Sequence, residues 1–154
     1  MKLTIRRLTA LVALTAPAVL LASPARARAE LVKQVIVPDE DRFEPFVISI
    51  HEGDTIEWIN QDTDDHTVVS DDAFTTSDNA GTNHKLLGTD SNNGQPSTFS
   101  LTFNHRGRFV YFCRFHAHLD GSSQPVAPGP RGGIQDDAGN FGTPMTGVVV
   151  VKKP

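Results

Sequence analysis

Apolar and polar residues alternate with a period of two along most of this chain. In residues 55–60, Ile56 and Trp58 share one face and Glu57 lies on the other. Alternation of this kind, bounded by Gly, Pro, Asn and Asp, is typical of half-buried strands. It predicts seven strands, over residues 31–37, 46–51, 55–60, 66–70, 97–103, 108–113 and 147–152. No segment has helical periodicity, so we expect one all-β domain, a sandwich of about seven to eight strands.

Two stretches are too long for the tight turns between neighbouring strands. Residues 71–96 are rich in Asp, Asn, Ser and Thr, and residues 121–147 contain eleven Gly or Pro among 27 positions. Loops of that length are usually functional or mobile. We therefore expect two long loop insertions on a compact sandwich, over about residues 71–96 and 117–144.

The first 29 residues have the features of a cleaved secretory signal peptide. Residues 2–7 carry three positive charges, residues 8–22 are an apolar run, and residues 27–29 form a small-x-small cleavage motif. The apolar run is shorter than the roughly 18–20 residues that a membrane span needs. We therefore predict an exported protein, periplasmic or secreted, with its domain over residues 30–154 and no membrane span after cleavage.

Charge and cysteine content exclude several classes of protein. The chain has a formal net charge of −4, and residues 30–154 retain nine basic and eighteen acidic residues. An acidic chain without a basic patch is unsuited to nucleic acid but suited to a basic protein partner. The single cysteine, Cys113, excludes a disulfide within the chain. In an exported protein an unpaired thiol is an oxidation liability, which binding to a metal removes.

Four residues with metal-binding side chains lie at the ends of predicted strands. Cys113 ends one strand, His116 follows three residues later, His66 begins another strand, and Met145 lies just before the last strand. A thiolate, two imidazoles and a thioether are the ligands of a mononuclear blue copper site, in which a His2Cys plane has a weak axial Met. Zinc uses some of these ligands, but the thioether favours copper. We therefore predict one copper ion at these four residues.

Three parts of the chain resemble the cupredoxins, the family of blue copper proteins. They are residues 43–60 with the following 65–68, residues 107–116, and residues 145–150. The resemblance extends over most of residues 31–151 outside the two insertions. It implies a Greek-key β-sandwich, a type 1 copper site and one-electron transport.

The resemblance also implies a role for each of the four residues. His66 and His116 match the two histidine ligands of the family, and Cys113 matches the thiolate ligand. Met145 matches the axial methionine, which lies two residues before the glycine of the last strand. The ligand segment between His116 and Met145 then contains a long insertion.

That insertion is a departure from the family pattern, in which the methionine follows the second histidine by a few residues. Here 28 residues separate His116 from Met145. His118 is an alternative or additional histidine ligand, since Cys-x4-His also occurs in the family. Leu119 lies where a member with a short loop carries its methionine. In that case the axial position is apolar, and Met145 only packs in the core.

Polar residues near the predicted ligands have two expected roles. Asn60 and Thr67 lie at positions that often support ligands, and the resemblance suggests that they do so here. We expect the acidic run over residues 62–65 to be a solvated face. Its members Asp64 and Asp65 are then available for docking a basic redox partner.

The function that these predictions favour is that of an exported one-electron carrier with a type 1 copper site. We expect no enzymatic activity, because no acid–base or substrate-binding residues are evident. The alternative is a periplasmic copper-handling or copper-tolerance protein that sequesters or delivers the ion, which a mobile segment between ligands would favour. In either case we expect a monomer whose partner is a redox or copper-trafficking protein, and no binding to nucleic acid.

Overall fold

The computed structural model describes residues 29–70, 82–129 and 142–154, and these residues contain no α-helix. The predicted signal peptide lies almost wholly outside them and stays a prediction. The described residues form ten strands, in chain order β1 (Val32–Val37), β2 (Val47–His51), β3 (Thr55–Asn60), β4 (His66–Ser70), β5 (Thr82–Leu86), β6 (Ser97–Thr102), β7 (Gly107–Phe112), β8 (His118–Leu119), β9 (Pro125–Val126) and β10 (Thr146–Lys152). The all-β fold is therefore confirmed, and all seven predicted strands are present.

The strands form two main sheets and a small hairpin. One sheet has three strands in the order β1-β3-β6, and the other has five in the order β2-β10-β7-β4-β5. β8 and β9 pair only with each other. β1 pairs with β3 and β10 pairs with β2 in parallel, so both sheets join strands that are not neighbours in the chain.

The alternation seen in the sequence places the core between the two main sheets. Val35 and Trp58 of the three-stranded sheet, and Tyr111 and Val149 of the five-stranded sheet, are at most 3% exposed. Trp58 makes an edge-to-face contact with Tyr111, and their ring centroids are 5.3 Å apart. Burial of an aliphatic side chain contributes roughly 1.5–3 kcal/mol. The core therefore holds the two sheets together at the positions that the alternation predicts.

β4 departs from the alternating pattern, because all five of its residues are buried. Val68 faces the main core. On the other side, Val69, Phe112 and Ala117 form a second group of buried apolar residues, here called the outer cluster, and Leu119 packs against it. The residues that follow β7 therefore fold back over the sheet, and this covering buries the second face of β4.

Three strands lie in segments that we expected to be loops. β5 lies within residues 71–96, and β8 and β9 lie within residues 117–144. β5 is at the edge of its sheet, and only Leu86 of its five residues is buried. Backbone hydrogen bonds pair β5 with β4, and such pairing does not require alternating apolar residues in the sequence. Residues 71–81 and 130–141 lie outside the described residues, and the insertions stay predictions there.

Candidate metal centre

Three of the predicted ligands lie at one end of the sandwich, at the ends of neighbouring strands. His66 is the first residue of β4, and Cys113 directly follows β7, which is adjacent to β4 in the sheet. His116 lies in the turn after Cys113 and donates its backbone N–H to the Cys113 carbonyl at 3.1 Å. Each of the three side chains offers a ligand atom, and these atoms lie within 4.8 Å of one another.

Met145 is brought to the same end of the sandwich by β10. β10 pairs with β7 in antiparallel register, with Thr146 opposite Phe112. The Cys113 N–H donates to the Met145 carbonyl at 3.1 Å, and the Met145 N–H donates to the His116 carbonyl at 3.3 Å. Met145 is fully buried. The pairing of β10 with β7 and the two backbone hydrogen bonds therefore bring Met145 next to Cys113 and His116, although 28 residues separate Met145 from His116 in the sequence.

The two alternative residues lie elsewhere. His118 is exposed in β8, and it is not part of the metal-binding group that the described residues form around Cys113. Leu119 packs against the outer cluster. Of the alternatives that the sequence left open, the structure brings the His116 side chain to Cys113. It brings the Met145 backbone there as well, and the Met145 side chain lies in the same buried cluster as Cys113.

The Cys113 sulfur is buried and surrounded by groups that stabilise a negative charge. The Thr67 N–H donates to Sγ at 3.4 Å, the Thr67 hydroxyl lies 3.8 Å from Sγ, and His66 Nδ1 lies 3.6 Å away. Burial raises the pKa of the Cys113 thiol. The nearby imidazoles of His116 and His66 and the N–H groups of Thr67 and Phe115 oppose this effect and lower the pKa to about 5. The residue is therefore a thiolate at neutral pH, the form that binds soft metals.

His66 presents one ring nitrogen to the sulfur and the other to two carboxylates. Its Nε2 lies 3.3 Å from Asp62 Oδ2 and 3.4 Å from Asp41 Oδ1. Because an ionised carboxylate can only accept hydrogen bonds, Nε2 is the nitrogen that donates to these oxygens, and Nδ1 is the nitrogen that faces Cys113 and would bind a metal ion. Burial lowers the pKa of His66, but its contacts with Cys113 and the carboxylates raise it above the ordinary value.

His116 has a ring nitrogen that lacks a partner among the described residues. Its Nδ1 is buried and makes no hydrogen bond, while its Nε2 lies 3.8 Å from Asp41 Oδ1. The neighbouring Cys113 sulfur raises the pKa of His116. A buried nitrogen without a partner is costly, and a metal ion would use its lone pair. Together with the thiolate and the second imidazole, this donor set fits copper.

Asn60 holds the loop that leads into His66. This fully buried side chain donates from Nδ2 to the carbonyls of Asp64 at 2.9 Å and Leu87 at 3.1 Å, and its Oδ1 accepts the Asp62 N–H at 3.1 Å. Of the two residues expected to support the ligands, Thr67 thus contacts the sulfur directly. Asn60 acts on the backbone of the loop.

The acidic run over residues 62–65 is not the uniformly solvated face that we expected. The prediction is wrong for Asp62, which is buried with one carboxylate oxygen beside His66. A buried carboxylate needs partners that stabilise its charge, and only the folded chain brings them together. Asp41, from the loop between β1 and β2, is a further carboxylate that no sequence signal separates from its acidic neighbours.

An open acidic groove borders the metal centre. It is lined by Thr63, Asp64, Asp65, Asp90, Ser91, Phe115 and His116. The His116 side chain is 22% exposed, and Phe115 is 53% exposed. Asp65 pairs with Lys85 at 2.6 Å, whereas the other two aspartates of the groove are exposed. Negative charge and an exposed aromatic ring therefore lie beside the part of the centre that reaches the surface.

The chain matches one family model, described as copper binding proteins of the plastocyanin/azurin family. The match covers residues 33–122, which is more than half of the chain. It includes His66, Cys113 and His116 and ends before Met145. The last of the four predicted ligands therefore depends on the geometry and not on this match.

One relative and two solved structures are similar to parts of this chain. A plastocyanin from Nostoc punctiforme is 35% identical over 78 residues, which are 48% of this chain and 55% of the relative, so the chain spans about half of that relative's length. A Cu(I) structure of an amicyanin mutant superimposes with a TM-score of 0.50 at 20% identity, over 79% of this chain and 82% of that one. A purple cupredoxin from Nitrosopumilus maritimus gives a TM-score of 0.46 at 19% identity, over 77% and 98% of the two chains. The amicyanin likeness confirms the expected cupredoxin-like sandwich.

Proposed function

Because this chain belongs to the plastocyanin/azurin family of copper-binding proteins, we propose that it is an exported mononuclear type 1 copper protein that carries single electrons. One observation supports this most. The ligand atoms of His66, Cys113 and His116 lie within 4.8 Å of one another at one end of the sandwich. We assign copper ligation to these three residues and to Met145, which together would hold the ion. Bound copper supplies a one-electron couple, and the protein supplies the ligands around it.

A carrier of electrons needs ligands that keep one arrangement in both oxidation states. The backbone hydrogen bonds of 3.1 and 3.3 Å that join Met145 to Cys113 and His116 support this role. The hydrogen bond from Thr67 to the sulfur does the same. Such contacts favour a closed site over one that opens to release its ion. They therefore favour electron transport over copper sequestration or delivery.

We propose that electrons enter and leave beside His116. The other three proposed ligands, His66, Cys113 and Met145, are fully buried. The acidic groove next to His116 suits a basic redox partner, because complementary charge speeds association and fixes orientation. The rate of electron transfer to such a partner should fall as salt screens these charges.

The proposal of export depends on the sequence of residues 1–29. The described part of the chain contains no helix with the length and hydropathy of a membrane span. Expression of the full chain in a bacterium with a periplasm, followed by N-terminal sequencing of the periplasmic fraction, should give a protein that begins at Glu30. A protein that stays in the cytoplasm with residues 1–29 attached would contradict export.

The experiment that tests the copper site is an absorption and EPR spectrum of the Cu(II)-loaded protein. Charge transfer from the thiolate to Cu(II) should colour it intensely, and Cys113→Ser should be colourless. His116→Ala should bleach the same band, while the matched control His118→Ala should keep it. A colourless wild-type complex would reject the proposal. Bleaching by His118→Ala alone would move the second histidine ligand to that position.

A second experiment separates electron transport from copper handling. Deletion of the gene should impair electron transfer to the natural acceptor and leave growth in copper-rich medium unchanged. Copper-sensitive growth with respiration intact would favour the handling function instead.

A further inference from the structure

Two carboxylates lie beside the Nε2 atoms of the proposed histidine ligands, Asp62 at His66 and Asp41 at both His66 and His116. We propose that Asp62 and Asp41 are positioning residues that orient the two histidines, stabilise the oxidised form of the copper centre and lower its reduction potential. This inference rests on the proposed function, since it concerns the same site. It concerns the two carboxylates next to the ligands, which affect the basicity of the imidazoles and the reduction potential of the copper.

The two carboxylate oxygens of Asp62 have different partners, and one of them contacts His66. Its side chain is 4% exposed, and its Oδ1 accepts hydrogen bonds from the Asp64 N–H and the Thr63 hydroxyl, both at 3.2 Å. Its Oδ2 then lies 3.3 Å from His66 Nε2. The first oxygen is therefore anchored by the loop, and the second fixes the tautomer and the direction of the imidazole.

Asp41 approaches both histidines at once. Its Oδ1 lies 3.4 Å from His66 Nε2 and 3.8 Å from His116 Nε2, and the two imidazole centroids are 5.2 Å apart. The backbone of Asp41 has a φ of 53°, a conformation that is uncommon for residues other than glycine. Its Oδ1 is buried and makes no hydrogen bond of ordinary geometry to any residue that the structure describes. The nearby imidazoles are thus the groups that its charge can act on.

Both carboxylates should favour the oxidised centre for the same physical reasons. Reduction adds one electron, taken from a one-electron donor, and so removes one positive charge from the centre. Negative charges nearby stabilise the state with the greater positive charge, and they do so most where water screens them least. In addition, a carboxylate that accepts a hydrogen bond from Nε2–H, as Asp62 does from His66, makes the imidazole a more basic ligand. Loss of either carboxylate should therefore raise the reduction potential.

The test compares neutral variants of the two residues with matched controls from the Asp41 loop. Asp62→Asn and Asp41→Asn remove the charges beside the histidines and keep the side-chain size. Asp39→Asn and Glu40→Gln make the same change of charge at exposed positions outside the acidic groove. The potentials are measured by spectroelectrochemical titration of the copper band with small-molecule mediators.

We expect Asp62→Asn to shift the equilibrium towards Cu(I) about tenfold. Loss of such a partner commonly weakens metal binding by roughly 10–100-fold, and Cu(II), which has the greater charge, should lose more affinity than Cu(I). For a one-electron couple, a tenfold shift is about 59 mV. Asp41→Asn should shift it in the same direction by a smaller factor, since Asp41 is partly exposed. Asp39→Asn and Glu40→Gln should leave the potential close to that of the wild type.

Zinc gives a readout that does not depend on electron transfer. Zn(II) has the charge of Cu(II) and no redox chemistry, so its affinity for the metal-free protein should fall about tenfold in Asp62→Asn. Asp62→Glu, which restores the charge, should recover part of the affinity and of the potential. If Asp62→Asn does not fold, Asp41→Asn decides the question, because Asp41 belongs to a different loop.

The outcomes separate this inference from the function on which it rests. A wild-type protein without the coloured Cu(II) complex rejects the proposed copper site. A coloured wild type whose Asp62→Asn and Asp41→Asn variants have the potential and zinc affinity of the controls overturns the role of the carboxylates alone.

Discussion

The metal centre is built from two segments of chain that are held in place in different ways. The loop over residues 61–65, between β3 and β4, is short, and the side chains of Asn60 and Asp62 hold it through hydrogen bonds to its backbone. The segment between Cys113 and Met145 is long, and backbone hydrogen bonds next to β7 and β10 hold its two ends. One part of the site thus depends on particular side chains, and the other depends on strand register.

This difference determines which substitutions should disturb the site. A segment held by side chains loses its geometry when one of those side chains is removed. A segment held by strand register tolerates most side-chain changes, but it is sensitive to anything that separates the two strands. Substitutions at Asn60, Gly88, Gly147 and Asp65 test these two expectations, in decreasing order of expected effect.

Asn60→Ala should have the largest effect, a loss of about 3 kcal/mol in the free energy of unfolding. The substitution removes three hydrogen bonds of a fully buried side chain, and the Asp64 carbonyl and the Asp62 N–H lose these partners. Urea unfolding followed by the fluorescence of Trp58, the single tryptophan, measures the change. Asn92→Ala is the matched control, because its amide bonds to carbonyls at the surface, and it should cost about 0.5 kcal/mol. Equal losses in the two variants would contradict the special role of Asn60.

Gly88→Ala should cost about 2–3 kcal/mol and should also change the copper spectrum. A Cβ at Gly88 would collide with the Thr63 carbonyl and with the backbone of Asp64, and neither can rotate away. The loop that carries Asp62 into His66 must then move. Unfolding and the absorption spectrum of the Cu(II) form measure the two effects. Gly129→Ala, where a Cβ meets open space, should leave both unchanged.

Gly147→Ala should cost about 1–2 kcal/mol, and its effect should be confined to the other segment. Gly147 lies opposite Tyr111 in the pairing of β10 with β7, and a Cβ there would run into the Tyr111 ring. The ring can shift in part, so the cost is lower than for a clash with backbone. Hydrogen exchange should show faster opening of β10 with the β3–β4 loop still protected. Faster exchange in that loop as well would show that the two segments are not independent.

Asp65→Asn should have the smallest effect, and one that depends on pH. The Lys85 ammonium and the Gly88 N–H lower the pKa of Asp65 from 3.8 to about 2. A carboxyl with a depressed folded-state pKa stabilises the protein above pH 4, and this contribution is lost as the pH falls through 2. The difference in midpoint temperature between wild type and Asp65→Asn should therefore shrink between pH 4 and pH 2. A difference that does not change over this range would argue against the ion pair.

Most of the fold could be predicted because its strands have one buried and one exposed face. Ile56, Trp58 and Phe99 follow that rule, and the strands that contain them lie where the alternation predicts. β5 could not be predicted in this way. It is an edge strand with one buried side chain, and backbone pairing with β4 stabilises it without leaving a pattern in the sequence.

The site could be predicted in part for a similar reason. Residue type and position at strand ends identify the four predicted ligands, His66, Cys113, His116 and Met145. The structure brings the side chains of His66, Cys113 and His116 together. The role of Asp62 could not be predicted, because an acidic residue in an acidic run looks the same whether it faces water or a buried imidazole.

The backbone hydrogen bonds at Met145 have a practical consequence for protein engineering. The entropic cost of closing a loop rises slowly with its length, by roughly 0.6 kcal/mol for each doubling. Since both ends of the Cys113–Met145 segment are tied to the sheet, the exposed turn over residues 120–124, between β8 and β9, is a suitable place to graft a foreign recognition peptide. Such a chimera would place a target-binding sequence beside an electroactive centre.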